Sequence, residues 1–160
     1  SFYYSILDFI EYVEVIRNNE LVKLDKTVVE YSYRSSIFKN TSDIIVRVKL
    51  RIEDKEASTM REELRNLRMK RIENQPVEYK NAGSVFKNPK GTYAGELIEK
   101  CGLKGYNVKD AYVSEKHANF IINKGNATSD DILKLIEIIK DKVKSEYDID
   151  LELEQIIVKW

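Results

Sequence analysis

The stretch that organises this chain is NAGSVFKNP, residues 81–89, which lies between a basic segment and a second short apolar pattern. Gly83 directly before Ser84 predicts a tight turn, because glycine adopts backbone conformations that other residues avoid. The rest of the stretch supplies an aromatic anchor, two polar donors and a terminating proline, which are Phe86, Lys87, Asn88 and Pro89. Turns of this kind often present catalytic or binding groups, so Ser84 is the first candidate for chemistry.

The composition limits the classes of protein that this chain can represent. Its 160 residues suit one domain, or one domain with a piece of another, and its 42% apolar content is that of a globular protein. Lys plus Arg and Asp plus Glu both number 27, so no net field favours nucleic acid or an anionic membrane. The sequence has one cysteine and one histidine, which excludes an internal disulfide and disfavours a structural zinc site.

No targeting or membrane signal is found in the sequence. No run approaches the roughly 20 apolar residues of a membrane span, and the first residues lack the pattern of a secretory signal. We therefore expect a cytoplasmic location, no membrane partner and no nucleic-acid partner, and the sequence leaves the oligomeric state open.

The N-terminal part is predicted to be rich in strands. Two extended patterns, residues 12–16 and 21–24, are joined by a turn that contains two asparagines, which predicts a hairpin. Residues 31–36 are too polar for a core strand and include Arg34. Residues 44–52 alternate between apolar and basic side chains, so they predict a strand with one buried face and one solvated face.

Helical spacing then predicts one helix before residues 81–89 and a second helix after them. Residues 59–72 have apolar side chains at helical intervals, and Thr59 with Glu62 resembles a capping box. The opposite face of this segment is basic, but acidic residues dilute it, so a solvated face is favoured over a nucleic-acid surface. A shorter apolar face predicts a second helix that contains Cys101 and ends at Gly102, with Cys101 as a core residue and not a reactive thiol.

The C-terminal part predicts a strand, a long helix and a final strand. The strand is expected at residues 118–122, and the helix begins at a Thr128 cap and buries apolar residues up to Val143. Residues 150–158 alternate and then become wholly apolar, which predicts the last strand. Together these patterns predict an α+β fold with helices on a mainly antiparallel sheet.

Four residues have the chemistry for a site, but each also has an ordinary explanation. Arg34 suits carboxylate or phosphate recognition, although most arginines are only solvated. Ser84 could donate a proton, act as a nucleophile or simply complete a turn, and His117 could contact a ligand or cap a strand. Glu154, taken alone, is an exposed carboxylate. The sequence lacks a Gly-x-Ser-x-Gly elbow, a phosphate loop and a dinucleotide turn.

Taken together, the motifs resemble those of one family, the UDP-N-acetylenolpyruvoylglucosamine reductases (MurB) of bacterial cell-wall synthesis. The resemblance is collinear from about residue 12 to the C-terminus. It is carried by YRSSIF at 33–38, the QP pair at 75–76 followed by 81–89, AGELIE at 94–99, GLKG at 102–105, residues 113–120 and the closing LELE at 151–154.

The resemblance implies a flavoenzyme of peptidoglycan synthesis, and hence a role in cell shape and the cell cycle. In this family NADPH reduces FAD, and flavin hydride then reduces an enolpyruvyl ether to a lactyl ether, which yields UDP-N-acetylmuramate. By position in the motifs, Ser84 would be the proton donor, and Arg34 and Glu154 would stabilise the enolic intermediate. The implied substrate-binding residues for the UDP-sugar are Asn88, Lys87, Lys116 and His117, and no residue is assigned to the cofactor.

The chain also departs from the family pattern. Lys109 stands where many members have glycine, and Gln155 and the ending at residues 158–160 are unusual. We expect residues 1–55 to be the end of the FAD-binding domain and residues 56–160 to be the substrate-binding domain, so that the N-terminal FAD-binding half lies outside this chain. An alternative function is a non-catalytic nucleotide-sugar-binding or interaction module derived from the enzyme.

Overall fold

The computed structural model describes residues 5–158, which form two compact units, one ending at Thr59 and the other beginning at Met60. In the described part of the first unit, antiparallel strands form a three-stranded sheet of order β2-β1-β5 and a separate small hairpin, β3-β4. These strands are β1 (Ile10–Arg17), β2 (Glu20–Asp25), β3 (Tyr31–Ser32), β4 (Ser35–Ser36) and β5 (Ile44–Leu50).

The predicted N-terminal hairpin is confirmed. Strands β1 and β2 pair antiparallel, and the two residues of the turn, Asn18 and Asn19, have φ values of 51° and 64°. Asparagine tolerates this left-handed conformation better than most residues, and two such residues in succession match the twist of the flanking strands. The hairpin side chains Val13 and Val15 are fully buried and form the centre of a small core.

Strand β5 forms at the predicted place, but the expected buried face is wrong. Every residue of Ile44–Leu50 is exposed, and Ile44 retains 65% of its accessible surface. The core of this unit is formed by residues of β1, by Leu24 and by Val29, so in the described part of the unit the apolar side chains of β5 have no second layer to pack against. Alternation predicts a strand with two different faces, but burial requires a covering element.

The second unit packs helices on a four-stranded antiparallel sheet of order β6-β9-β8-β7. Its described helices are α1 (Ala57–Asn74, which begins before the division), α2 (Ala94–Lys100) and α3 (Ser129–Tyr147). Its described strands are β6 (Lys80–Ser84), β7 (Asn107–Val108), β8 (Ala111–Val113) and β9 (Phe120–Asn123). The mixture of helices and antiparallel sheet confirms the predicted α+β class.

Helix α1 begins two residues earlier than predicted, and the capping box expected at Thr59 is wrong. The helix starts at Ala57, and the side chain of Glu56 accepts a hydrogen bond of 3.0 Å from the Thr59 backbone amide. Glu56 therefore supplies the capping acceptor, since Thr59 already lies within the first turn. No side chain of α1 is buried, and Leu64 is 66% exposed.

Helices α2 and α3 have the predicted caps. Thr128 and Asp131 form a reciprocal capping box at the start of α3, and this helix buries the predicted apolar face. Helix α2 ends in a Schellman motif: Gly102 has a φ of 70°, its amide donates to Glu99, and the next amide, that of Leu103, donates to Ile98.

Two predicted strands of the second unit need correction. The strand expected at residues 118–122 begins only at Phe120, because residues 114–119 form a hydrogen-bonded turn between β8 and β9. The final strand expected at residues 150–158 does not form. Only Leu153 makes a bridge, to Phe86, and the apolar end, including Ile156 at 81% exposure, does not continue the sheet. An apolar run alone does not supply a strand partner.

Lys109 occupies the turn between β7 and β8 with a φ of 48°. This left-handed conformation favours glycine, so the lysine is held in a strained backbone conformation. Two contacts hold the turn: Asn107 donates a hydrogen bond of 2.8 Å to the Lys109 carbonyl, and the Lys109 ammonium pairs with Asp131 at 2.9 Å. Hydrogen bonds from Thr128 and Lys109 lower the pKa of Asp131 to about 2.

None of the helices within residues 5–158 combines the length and the apolar character that crossing a bilayer requires.

We expect Thr128→Ala to lower the free energy of unfolding by about 1 kcal/mol, because it removes the hydroxyl that caps the start of α3. Equilibrium denaturation in urea measures this change. Ser129→Ala is the matched control, since Ser129 is exposed and lies outside the capping box. Equal loss of stability in both variants would contradict the capping role.

Candidate active site

Ser84 is the last residue of β6 and pairs with Phe120 of β9. The predicted turn is therefore in part a strand, with an irregularity in the pairing between Asn81 and Ser84. Gly83 accommodates this irregularity with a φ of 81°, and its amide donates a hydrogen bond of 3.0 Å to the side chain of Asn81. The glycine is thus required by conformation, and it places a half-buried serine at the end of a strand.

The segment that follows Ser84 is held along one edge by the C-terminal segment. The amide of Lys87 donates to the carbonyl of Glu152 at 2.8 Å, and the amide of Glu154 donates to the carbonyl of Val85 at 2.9 Å. Between these two bonds lies the bridge from Phe86 to Leu153. The structure therefore brings the backbone of Glu154 next to Val85, the residue that follows Ser84.

The other edge of the segment that follows Ser84 is held by one residue, Asn119. Its carbonyl accepts a hydrogen bond of 2.9 Å from the Val85 amide. Its side-chain oxygen accepts from the Phe86 amide at 2.9 Å, and its side-chain amide donates to the Phe86 carbonyl at 2.8 Å. Asn119 is only 4% exposed, and Phe86 is only 1% exposed and is the predicted hydrophobic anchor. These bonds form in a protein interior, where an unsatisfied backbone group is costly.

Gln155 follows Glu154 and contacts the backbone on the serine side. Its side-chain amide donates to the carbonyls of Gly83 and Ser84 at 3.3 and 3.4 Å. Gln155, one of the departures from the family pattern, therefore contacts the backbone of the serine segment.

A cavity of about 280 Å³ adjoins Gln155. It is lined by Lys80, Asn81, Ala82, Ile121, Asn123, Ile132 and Gln155. Ser84 does not line this cavity.

The predicted substrate-binding residues Lys87 and Asn88 already have partners in the chain. The Lys87 ammonium pairs with the exposed carboxylate of Glu152 at 2.9 Å. The Asn88 side-chain oxygen accepts a hydrogen bond of 3.1 Å from the Ala94 amide at the start of α2. The side chain of the N-cap residue Tyr93 makes no capping hydrogen bond. Asn88, six residues before Ala94, supplies the capping acceptor instead.

Lys116 and His117 lie in the turn between β8 and β9. The Lys116 ammonium pairs with Glu78 at 3.0 Å and donates to the Ile72 carbonyl at 3.2 Å. The His117 ring is tilted against Phe120, with 4.8 Å between the ring centroids. Burial lowers the pKa of His117 below its ordinary 6.5, and the positive charge of Lys104 acts in the same direction.

The turn itself is organised by Ser114 and by Asn119. Ser114 is 2% exposed, and its hydroxyl oxygen accepts from the amides of Lys116 and His117 at 3.2 and 3.3 Å. The His117 Nδ1 accepts a hydrogen bond of 3.2 Å from the Asn119 amide. Because Nδ1 accepts, the proton of the neutral ring lies on Nε2.

Arg34, the third predicted catalytic residue, lies in the first unit. It occupies the turn between β3 and β4 with a φ of 57°, and its carbonyl accepts a hydrogen bond of 2.7 Å from Lys39. The guanidinium lies 5.5 Å from the centroid of the Tyr33 ring. A non-glycine residue in this conformation is uncommon, and such conformations cluster at functional turns.

Sequence reasoning missed Asn119, Ser114 and the contacts of Gln155. The usable signal was a polar residue inside an apolar run, since Asn119 directly precedes Phe120, Ile121 and Ile122. An asparagine at such a position predicts a buried, hydrogen-bonded amide. The alternating pattern of residues 118–122 only placed Asn119 on one face of a predicted strand.

Within residues 5–158, no three His, Cys, Asp or Glu side chains come together in a way that could hold a metal ion.

Comparison with known proteins agrees with this architecture. A family model described as UDP-N-acetylenolpyruvoylglucosamine reductase, C-terminal domain, matches residues 75–158. The chain is 43% identical over 151 residues to the UDP-N-acetylenolpyruvoylglucosamine reductase of Thermotoga petrophila, covering 94% of this chain and 53% of that protein. It is 46% identical over 156 residues to the Clostridium kluyveri protein of the same name, covering 96% and 51%.

A solved structure is also similar. The crystal structure of UDP-N-acetylenolpyruvylglucosamine reductase (MurB) from Thermus caldophilus matches with a TM-score of 0.78 and 34% identity, covering 92% of this chain and 52% of that one. The fold and these matches thus define an α+β protein that contains the C-terminal domain of this family. The chain belongs to the UDP-N-acetylenolpyruvoylglucosamine reductase family, through its C-terminal domain. It spans about half the length of the relatives that it matches.

Cys101 is buried, as predicted, and is not suited to catalysis. Burial, and to a smaller extent Glu146, raise the pKa of its thiol to about 11, so the nucleophilic thiolate is scarce near neutral pH.

We expect the folded chain to react slowly with iodoacetamide at pH 7 and the urea-unfolded chain to react at the rate of an ordinary thiol. Mass spectrometry of timed samples measures both rates. Rapid labelling of the folded chain would contradict the assignment of Cys101 to the core.

Proposed function

We propose that this chain forms the substrate side of a reductase that converts UDP-N-acetylenolpyruvoylglucosamine to UDP-N-acetylmuramate during peptidoglycan synthesis. The observation that carries the proposal is the pairing of the Ser84 and Glu154 segments, which joins two motif residues 70 positions apart through the Glu154–Val85 hydrogen bond. Family membership supplies the reaction class. A cytoplasmic location, where the nucleotide precursors of peptidoglycan are made, and roles in cell shape and the cell cycle follow from this proposal.

Ser84 is proposed as the proton donor. Reduction of the enol ether leaves carbanion character on the carbon next to the substrate carboxylate, and that carbon must then accept a proton. A serine hydroxyl is a weak acid, so its Oγ must be held close to the reacting carbon for transfer to compete. The strand end and the irregularity at Gly83 supply a fixed backbone for that purpose.

Glu154 and Arg34 are proposed to stabilise the charge that develops during the reaction. A guanidinium can bind the substrate carboxylate through two parallel hydrogen bonds and thereby favours the enolic form. Glu154 is held by its backbone next to Val85, and its carboxyl group would contact the enolic portion. Residues up to 55 would belong to the FAD-binding domain, and residues from 56 onward to the substrate-binding domain.

The UDP portion is proposed to bind at Lys87, Asn88, Lys116 and His117. Lys87 and Lys116 each pair with a carboxylate at a partly exposed position, and such pairs contribute at most about 1 kcal/mol. The diphosphate of the substrate could therefore replace these carboxylates as the partner of each lysine with little loss of stability. The neutral His117 ring would donate to an acceptor through Nε2, the nitrogen that does not contact Asn119.

FAD, reduced by NADPH, is the proposed source of the hydride. The chain carries neither a glycine-rich dinucleotide turn nor a phosphate loop, so none of its residues is assigned to the flavin. The chemistry proposed for this chain is confined to binding the UDP-sugar, stabilising the enolic charge and delivering the proton.

We expect the chain to bind the UDP-sugar saturably in calorimetric titration without added flavin. Lys87→Ala should weaken binding about 10-fold or more, the effect of losing one charged hydrogen bond, whereas Lys134→Ala, on the exposed face of α3, should not change it. Absence of binding by the folded chain would reject the proposed UDP-sugar site.

The proton-donor role is tested in a holoprotein that joins this chain to the part of the Thermotoga petrophila reductase outside the match. We expect Ser84→Ala to lower kcat by about 10²- to 10⁴-fold, the usual contribution of a general acid. Ser145→Ala, at an exposed position of α3, is the control. Normal turnover by Ser84→Ala would reject the role. Binding of the UDP-sugar by a joined protein that takes up FAD but does not reduce the substrate would favour the non-catalytic module.

A further inference from the structure

The backbone that follows Ser84 depends on a side chain from another part of the chain. Ser84 pairs with Phe120, which is the first residue of β9. The residues after Ser84 therefore have no further residue of β9 to pair with. Asn119 takes over at this point: its carbonyl accepts from Val85, and its carboxamide forms both bonds to Phe86. A side-chain amide has the same donor and acceptor groups as a peptide unit and can replace it in a ladder.

Removing these bonds would leave two buried backbone groups without partners. Asn119 is buried, and Phe86 packs in the core of the second unit. On the opposite edge of residues 85–87, the Glu154 amide donates a hydrogen bond to the Val85 carbonyl. A shift of this backbone would therefore move Ser84 and Glu154 together.

The turn that presents Asn119 is itself fixed at three points. The Asn119 amide donates to His117, and Ser114 accepts from the amides of Lys116 and His117. Helix α2 approaches closely at Gly95, where an added Cβ would lie 3.3 Å from His117 Cε1 and 3.6 Å from Asn119 Cβ. A turn with these constraints holds the carboxamide in one orientation.

We propose that Asn119 is a positioning residue of the site, which holds the Val85–Phe86 backbone so that Ser84 and Glu154 keep their reactive placement. This inference rests on the proposed function for its catalytic consequence, and on the hydrogen bonds of Asn119 for its structural one. Asn119 does not contact the substrate in this assignment. It acts on the reaction only through the residues that it holds.

A double-mutant cycle in the joined holoprotein separates positioning from general support of the fold. Asn119→Ala alone should lower kcat about 10²-fold, the effect of a misplacement of roughly 1 Å, with a smaller change in KM. In a Ser84→Ala background, the same substitution should lower kcat by at least about tenfold less than it does alone, because one of the two groups that it positions is already gone. An equal loss in both backgrounds, or an unchanged kcat for Asn119→Ala alone, would overturn the proposal.

A second measurement needs neither activity nor a folded variant. In the unaltered chain, the Phe86 amide should exchange its hydrogen as slowly as the Ile121 amide within β9, because its acceptor is a buried carboxamide. Exchange at the rate of an exposed loop amide would overturn the proposal. In a variant that folds, Asn119→Ala should accelerate exchange at Phe86 and Glu154, whereas Thr128→Ala, a destabilised control, should not do so selectively.

The two proposals fail in different ways. If Ser84→Ala retains full turnover, the proton-donor role is rejected, and the Phe86 amide exchange then decides the structural part of the Asn119 assignment. If Ser84→Ala lowers kcat as expected and the fold loss caused by Asn119→Ala is the same in both backgrounds, the proposed function stands and the positioning role is rejected.

Discussion

The arrangement of the second unit depends on the two-sided hydrogen bonding of the short segment after Ser84. One edge of residues 85–87 pairs with the segment that contains Glu154, and the other edge pairs with Asn119. Neither edge is a regular strand pair of any length. A backbone with partners on both edges cannot shift without leaving buried polar groups unpaired, so three residues fix the relation between distant parts of the chain.

Several candidate residues near this segment have structural contacts in addition to their proposed chemistry. Asn88 caps α2, and Lys87 and Lys116 pair with carboxylates. The motif that is proposed to bind a ligand therefore also contacts the start of α2 and the C-terminal segment. Substitution of these residues removes a structural contact together with any proposed contact to the substrate, which is why exposed residues of α3 are suitable controls.

Local signals in the sequence were reliable where the cause is local. The Asn18–Asn19 turn, the Thr128 capping box and the Gly102 helix end follow from backbone preferences and short-range hydrogen bonds, and each is present in the structure. The capping box expected at Thr59 failed locally, because Glu56 supplies the acceptor, but two larger failures concerned distant partners. Strand β5 needed a covering layer for its apolar face, and residues 150–158 needed a neighbouring strand along their whole length.

The sequence by itself determined the class of fold, the Thr128 cap of α3, the Gly102 end of α2, the candidate proton donor and, through its ordered motifs, the family. Only the tertiary structure decided that Ser84 ends a strand, that the Glu154 amide bonds to Val85, and that Asn119 bonds to the backbone of Val85 and Phe86. The physical reason is that spacing encodes the conformation of neighbouring residues, whereas the partner of a buried backbone group is chosen by packing among residues far apart in the chain.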